Sequence, residues 1–188
     1  MVAATLLNRP LTFADIADLP DDGMRHELIG GELYMTPAPS TKHQRVVGRL
    51  FRLLSEYVEQ RNIGEVIIAP FDVHFDDFNV VEPDIIVVGS SSAGTLDDAG
   101  LQGPPSLCVE VLSPGTRGLD LVKKHLLYAR FGVPEYWVVD PDLEQITVSQ
   151  IIEGKYVAVE SADGVARSLV FPGLLIDPAG ISSPPGGE

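Results

Sequence analysis

Two apolar runs of strand character each carry one carboxylate: Asp84 in Val-Glu-Pro-Asp-Ile-Ile-Val-Val, and Glu110 in Leu-Cys-Val-Glu-Val-Leu-Ser. The flanking residues are those of strands buried on both faces. An ionised carboxylate in such surroundings is costly unless it is paired, hydrogen-bonded or bound to a cation. A fold for this chain must therefore bury a sheet and still provide for two charges. A shared metal ion is the economical provision.

The elements around these runs follow from periodicity and turn chemistry. Thr12 and Asp15 have the spacing of a reciprocal N-terminal cap for a short helix that closes by about residue 22. His26–Ile29 and Glu32–Met35 read as two strands around Gly30-Gly31, a hairpin signal. From about 40 to 60, Val46, Val47, Leu50, Phe51, Leu54, Tyr57 and Val58 recur at three and four, which predicts a long helix with a broad buried face. Strands are expected over 65–69, 71–75, 81–88, 106–112 and 135–140, with a long loop from Gly89 to Pro105. A second helix is expected over 116–131, with Leu119, Val122, Leu126 and Ala129 as its apolar face. The strand, helix, strand order over 106–139 suggests a parallel crossover. Hairpins before it and two or three antiparallel strands after it (145–151, 156–159, 168–171) complete a mixed central sheet flanked by helices, an α/β (α+β) class. Residues 1–181 fit one domain, and the Ser-Ser-Pro-Pro-Gly-Gly-Glu tail, 182–188, is expected to be disordered.

Charge narrows the partners. Lysine and arginine number 13 against 27 aspartates and glutamates, a formal charge of −14. Affinity for a phosphate backbone comes mainly from lysine and arginine displacing counterions, so nucleic-acid binding here would be weak or metal-dependent. No apolar run has the length of a membrane span, and the start of the chain lacks a signal-peptide pattern, so a cytoplasmic location is expected. The single cysteine, Cys108, excludes an intrachain disulfide and reads as a small buried residue. The four histidines are scattered without zinc-ligand spacing. No Gly-x-Ser-x-Gly elbow and no glycine-rich phosphate loop occurs.

Alternation places Cys108, Glu110 and Leu112 on one strand face. If the neighbouring strand pairs in register, Asp84 comes within reach of the same hard cation, for which Mg2+ or Mn2+ is the natural occupant. On the following helix Asp120, Lys124 and Tyr128 are four apart and share a side, so Lys124 could lean over the site. Two acids and a lysine suffice for metal-assisted hydrolysis of a phosphodiester. Taken singly, each has a structural alternative: Pro-Asp is common at strand starts, Glu110 could pair with an arginine, and Lys124 could be solvated. Tyr128 and Trp137 fit a core. His43, on the face of Val47, Leu50 and Leu54, fits a core or supporting role better than a catalytic one.

In order, His26-Glu27-Leu28-Ile29-Gly30-Gly31-Glu32-Leu33, His43 opening the long helix, Pro83-Asp84-Ile85, Glu110-Val111-Leu112-Ser113-Pro114, then Asp120, Lys124, Tyr128, Gly132 and Glu135-Tyr136-Trp137 resemble the Uma-type branch of the PD-(D/E)XK nuclease superfamily over about residues 10–175. The resemblance implies a restriction endonuclease-like core with an N-terminal hairpin. It implies that Asp84 and Glu110 bind the metal with the Val111 carbonyl, and that Glu27, His43, Asp120 and Tyr128 support them. One departure stands out. The superfamily's lysine normally follows the glutamate by two residues, where this chain has Leu112, and Lys124 is the candidate to replace it, ahead of Lys123. The expectation is a Mg2+-dependent endodeoxyribonuclease acting on DNA, with a homodimer suited to cutting both strands. Its alternatives are a catalytically silent binding or assembly module on the same fold, and a small-nucleotide phosphohydrolase.

Overall fold

The computed structural model describes residues 9–19, 22–90, 92–161 and 163–182. What was expected of the first eight residues and of the tail from residue 183 lies outside these. No helix among the described residues is long and apolar enough to cross a membrane.

Chain order begins with a short helix α1 (Phe13–Ile16), the hairpin β1 (Arg25–Ile29) and β2 (Glu32–Thr36), and the long helix α2 (Thr41–Arg61). Strands β3 (Gly64–Ile68), β4 (Val73–Asp76), β5 (Asn79–Val81), β6 (Ile85–Gly89), β7 (Thr95–Asp97), β8 (Gly100–Gln102) and β9 (Leu107–Val111) follow. A π-helical turn, Leu119–Lys124, runs directly into α3 (His125–Arg130), and β10 (Glu135–Asp140), β11 (Gln145–Ile152) and β12 (Lys155–Ala158) come next. The short pair β13 (Ala166–Arg167) and β14 (Leu175–Ile176) precedes α4 (Pro178–Ser182).

The strands form two six-stranded mixed sheets, β2-β1-β5-β4-β8-β7 and β12-β11-β10-β9-β6-β3. In the second, β9 and β10 are parallel while β6 runs antiparallel to β9. Both β9 and β10 are buried throughout. Their alternating side chains feed two cores: Val109 and Trp137 meet Leu50 and Leu54 of α2 on one face, whereas Cys108 and Tyr136 meet Tyr128 on the other. The hairpin turn has φ of 62° and 75° at Gly30 and Gly31, and a Cβ on Gly31 would lie 2.5 Å from the Pro10 Cβ. Both the turn and the close approach require glycine there.

Four local expectations change. The run 81–88 is not one strand: Pro83 has no N–H to give a ladder, and Glu82-Pro83-Asp84 carries the chain from β5 in the first sheet to β6 in the second. The loop 89–105 contains the antiparallel pair β7 and β8. Only half of the second helix's expected apolar face turns inward: Ala129 is buried and Leu119 packs against the core. Val122 and Leu126 are 55% and 65% exposed, while Asp120, Lys124 and Tyr128 are buried. Its first half is π-helical, which shifts the phase of successive side chains, and the buried charges satisfy one another.

Residues 168–171 form no strand, because their polar groups turn to Glu135. That buried carboxylate accepts from Trp137 Nε1 (2.7 Å), Ser168 Oγ (2.7 Å), and the amides of Leu169 (2.7 Å) and Val170 (3.2 Å). Glu135→Ala leaves four donors without an acceptor. A loss of about 3 kcal/mol is expected, read as a lower urea midpoint at unchanged slope, and a shift inside error would refute this role.

Candidate active site

Asp84 sits at the crossover, one residue before β6. The β6–β9 register pairs Ile85 with Val109, and one step further sets Asp84 opposite Glu110. Strand β1 lies across this crossover, the first turn of α2 stands beside it, and the π-helical turn closes the far side. Five segments distant in sequence thus converge.

The Val111 amide donates to Asp84 Oδ2 at 2.8 Å, and His43 Nε2 lies 3.0 Å from the same oxygen. Ser40 caps α2 by accepting from the His43 amide at 3.2 Å, which fixes where the imidazole enters. Arg25 Nη1 and Nη2 approach Asp84 Oδ1 at 3.3 and 3.4 Å. Burial alone would push this carboxyl up, but the His43 bond and charge, Arg25 and the Val111 amide bring it below the ordinary aspartate range. It is a well-held anion.

Lys124, 1% exposed, places Nζ 2.8 Å from Glu27 Oε1, 2.9 Å from Glu110 Oε1 and 3.7 Å from Asp120 Oδ1. Burial favours losing its proton, yet Glu110, Glu27 and Asp120 outweigh that and hold it charged well past the ordinary lysine range. Tyr128 donates to Glu110 Oε1 at 2.7 Å. The other oxygen, Oε2, takes no hydrogen bond among the described residues. Burial drives Glu110 up to about 8, against Lys124 and with Asp120, Asp84 and Glu27 adding to the rise. Glu27 also accepts from the Glu82 amide at 2.8 Å, tying β1 to the crossover. Asp120 is raised by burial, and its carbonyl accepts from Tyr136 Oη at 2.9 Å.

These groups enclose a cavity of about 30 Å3 lined by Arg25, Glu27, His43, Asp84, Glu110 and Lys124, among others. It has room for a water molecule or a small ion. Of the seven residues singled out from sequence as binding or supporting, Glu27, His43, Asp84, Glu110, Asp120 and Lys124 line it, while Tyr128 and the Val111 amide stand behind it, bonded to Glu110 and Asp84. Lys123 does not line it: it is exposed and pairs with Glu32 at 3.1 Å. Trp137 belongs to the core. His26, His74 and His125 lie elsewhere, and His74 faces Asp72 at 3.9 Å. Among the described residues no three acids, histidines or cysteines stand arranged around one ion, because the Lys124 ammonium already occupies the space between Glu27, Glu110 and Asp120.

Two contributors escape the motif pattern. Arg25 is paired with Asp84 and with Glu82, whose carboxylate lies 3.8 Å away and is pushed up to about 7 by burial. The signal for Arg25 was its place two residues before Glu27, on the same face of one strand.

No curated protein matches the chain. A crystal structure of a putative nuclease belonging to DUF820 from Anabaena variabilis superposes with a TM-score of 0.76 at 20% identity, covering 92% of this chain and 98% of that one. The likeness establishes a shared, restriction endonuclease-like fold. A family model, Uma2, described as putative restriction endonuclease, matches residues 13–179, and with it the chain belongs to the Uma2 family.

Proposed function

We propose that this protein is a divalent-metal-dependent endodeoxyribonuclease whose catalytic residues are Asp84, Glu110 and Lys124. The supporting observation is their meeting at one buried cavity, from a crossover, a strand and a helix, with the lysine 2.9 Å from the glutamate. Core packing alone gives no reason to bury four carboxylates together. The family's description as putative restriction endonuclease points the same way.

The donor set suits a hard cation, which takes oxygen ligands. Glu110 Oε2 takes no donor among the described residues. In an extended strand the N–H and C=O of one residue lie on the same edge, so the Val111 amide that reaches Asp84 aims its carbonyl toward that side as well. Asp84, Glu110 and the Val111 carbonyl would hold Mg2+ or Mn2+, which supplies Lewis acidity toward a phosphoryl oxygen and an attacking water. The chain's own groups supply the rest. His43 and the Val111 amide fix the Asp84 carboxylate. Tyr128 and Lys124 both bind Glu110 Oε1 and so leave Oε2 facing the cavity. Lys124, kept protonated by its carboxylates, offsets negative charge growing on the phosphate in the transition state.

One observation favours a non-cutting module instead: without any added ion, Lys124 and Arg25 already neutralise much of the acid cluster. Incubating supercoiled plasmid with the protein in magnesium, manganese or chelator separates the two. Conversion to nicked or linear DNA is expected with metal only. A folded protein that converts nothing under any condition, and shows no calorimetric affinity for either ion, is the module.

A further inference from the structure

Outside the acid cavity lies a larger recess of about 330 Å3. The two share Arg25, Pro37, Pro39, His43 and Asp84, so anything held in the recess has one end at the carboxylates. Its volume falls at the low end of small-ligand pockets, about 300–1,000 Å3. One nucleotide unit is of that scale. A duplex, with its bases stacked and paired, puts no such group into a recess unless a nucleotide is extruded.

The walls suit a base and a phosphate at different places. Met24, Val47 and Pro70 offer apolar surface, and Gln44, exposed on the first turn of α2, has a side-chain amide with no hydrogen bond among the described residues. Arg25 is the cation that lines both cavities. A guanidinium carries five donors in a fork matched to two oxygens of one anion. Here both Nη atoms share the single oxygen Asp84 Oδ1 at 3.3 and 3.4 Å, Nη1 also reaches the Glu82 carbonyl at 3.1 Å, and the side chain remains 21% exposed. Asp84, with the Glu82 carboxylate 3.8 Å from Nε, thus anchors Arg25 without saturating its Nη donors. The whole-chain balance of 13 basic to 27 acidic residues also disfavours a duplex, whose affinity depends on many phosphate contacts. Contacts to unpaired bases supply binding that does not depend on charge.

We propose that the recess seats one unpaired nucleotide of the strand being cut, its phosphate on Arg25 and its base against Met24 and Gln44, so that unpaired DNA is the substrate class. This rests on the nuclease function proposed above. The acids Asp84 and Glu82 also face the recess, so the nucleotide binds with a divalent ion present.

The test is fluorescence anisotropy in calcium with a short labelled oligothymidylate and a blunt duplex of equal length, using the wild type and Gln44→Trp. The tryptophan fills the recess from an exposed helix position. The wild type is expected to bind the single strand about tenfold or more tighter than the duplex, and Gln44→Trp to lose about tenfold on the single strand. Duplex binding as tight as single-strand binding by the wild type overturns the proposal, as does unaltered single-strand binding by a folded Gln44→Trp. Wild-type turnover of bis(p-nitrophenyl) phosphate in magnesium reports on the chemistry separately. Its absence counts against the nuclease alone, and the binding comparison still decides the recess.

Discussion

Asp84→Asn is expected to abolish plasmid cleavage while leaving the protein folded. The asparagine keeps an oxygen for the Val111 amide, which now donates at 2.8 Å, and keeps the side-chain volume at the crossover. What it loses is the charge that would hold the metal. Partners that merely orient a metal ligand are worth roughly ten- to a hundredfold in affinity or activity, so losing a ligand should cost more than about a hundredfold. Glu110→Gln is the companion. Its carboxylate is the one that burial penalises most plainly, and Lys124 retains Glu27 and Asp120 without it, so the variant should fold at least as well as the wild type. Cleavage at the wild-type rate by both folded variants would remove the two acids from the mechanism.

Lys124→Met should be the most destabilising single change at the site. Methionine fills similar space but leaves Glu27, Glu110 and Asp120 buried with no cation between them. Removing one member of a buried charge cluster typically costs about 3–5 kcal/mol, although replacing the whole cluster by apolar groups can be neutral. The pH dependence follows from linkage. The folded pKa of Lys124 is raised, so in the wild type its pairing stabilises fully below the unfolded value, about 10.4, and is lost only as pH climbs through the folded value. In the variant Glu110 and Asp120, already raised by burial, lose the cation that opposes the rise and gain protons more readily folded than unfolded. Its deficit should therefore be largest at neutral pH and shrink as the medium approaches about pH 4. Urea melts of both proteins across that range make the comparison, and equal midpoints at neutral pH would show that the cluster is not stabilised by this lysine.

Much of the architecture was legible because it depends on neighbours in sequence. The long helix declared itself by apolar residues at three and four, and these are buried on α2 except Phe51, which is half-buried against the same core. The Gly30-Gly31 pair predicted a hairpin that needs both positive φ angles. Alternation along 107–111 sorted Cys108 from Leu107 and Val109, and the two faces do enter different cores. Asp84 and Glu110 stood out because charge inside an apolar run needs a partner.

The helix after β9 shows where such patterns fail. Two residues of its expected apolar face, Val122 and Leu126, point to solvent while Leu119 and Ala129 pack inward, and its charged stripe is buried. The reason is non-local: Lys124 is tolerated inside because Glu27 and Glu110 arrive from strands of two different sheets. Arg25 was overlooked for a similar reason. A strand-end arginine looks like ordinary surface until the crossover at Pro83 brings Asp84 and Glu82 beside it. Spacing along the chain sufficed for the long helix, the first hairpin, the buried strands and the acids that need compensation, since burial periodicity and the cost of a lone charge are local properties. The pairing of Arg25 with Asp84 and of Lys124 with Glu27 came from the assembled fold, because an ion pair depends on distances across sheets that no spacing along the chain records.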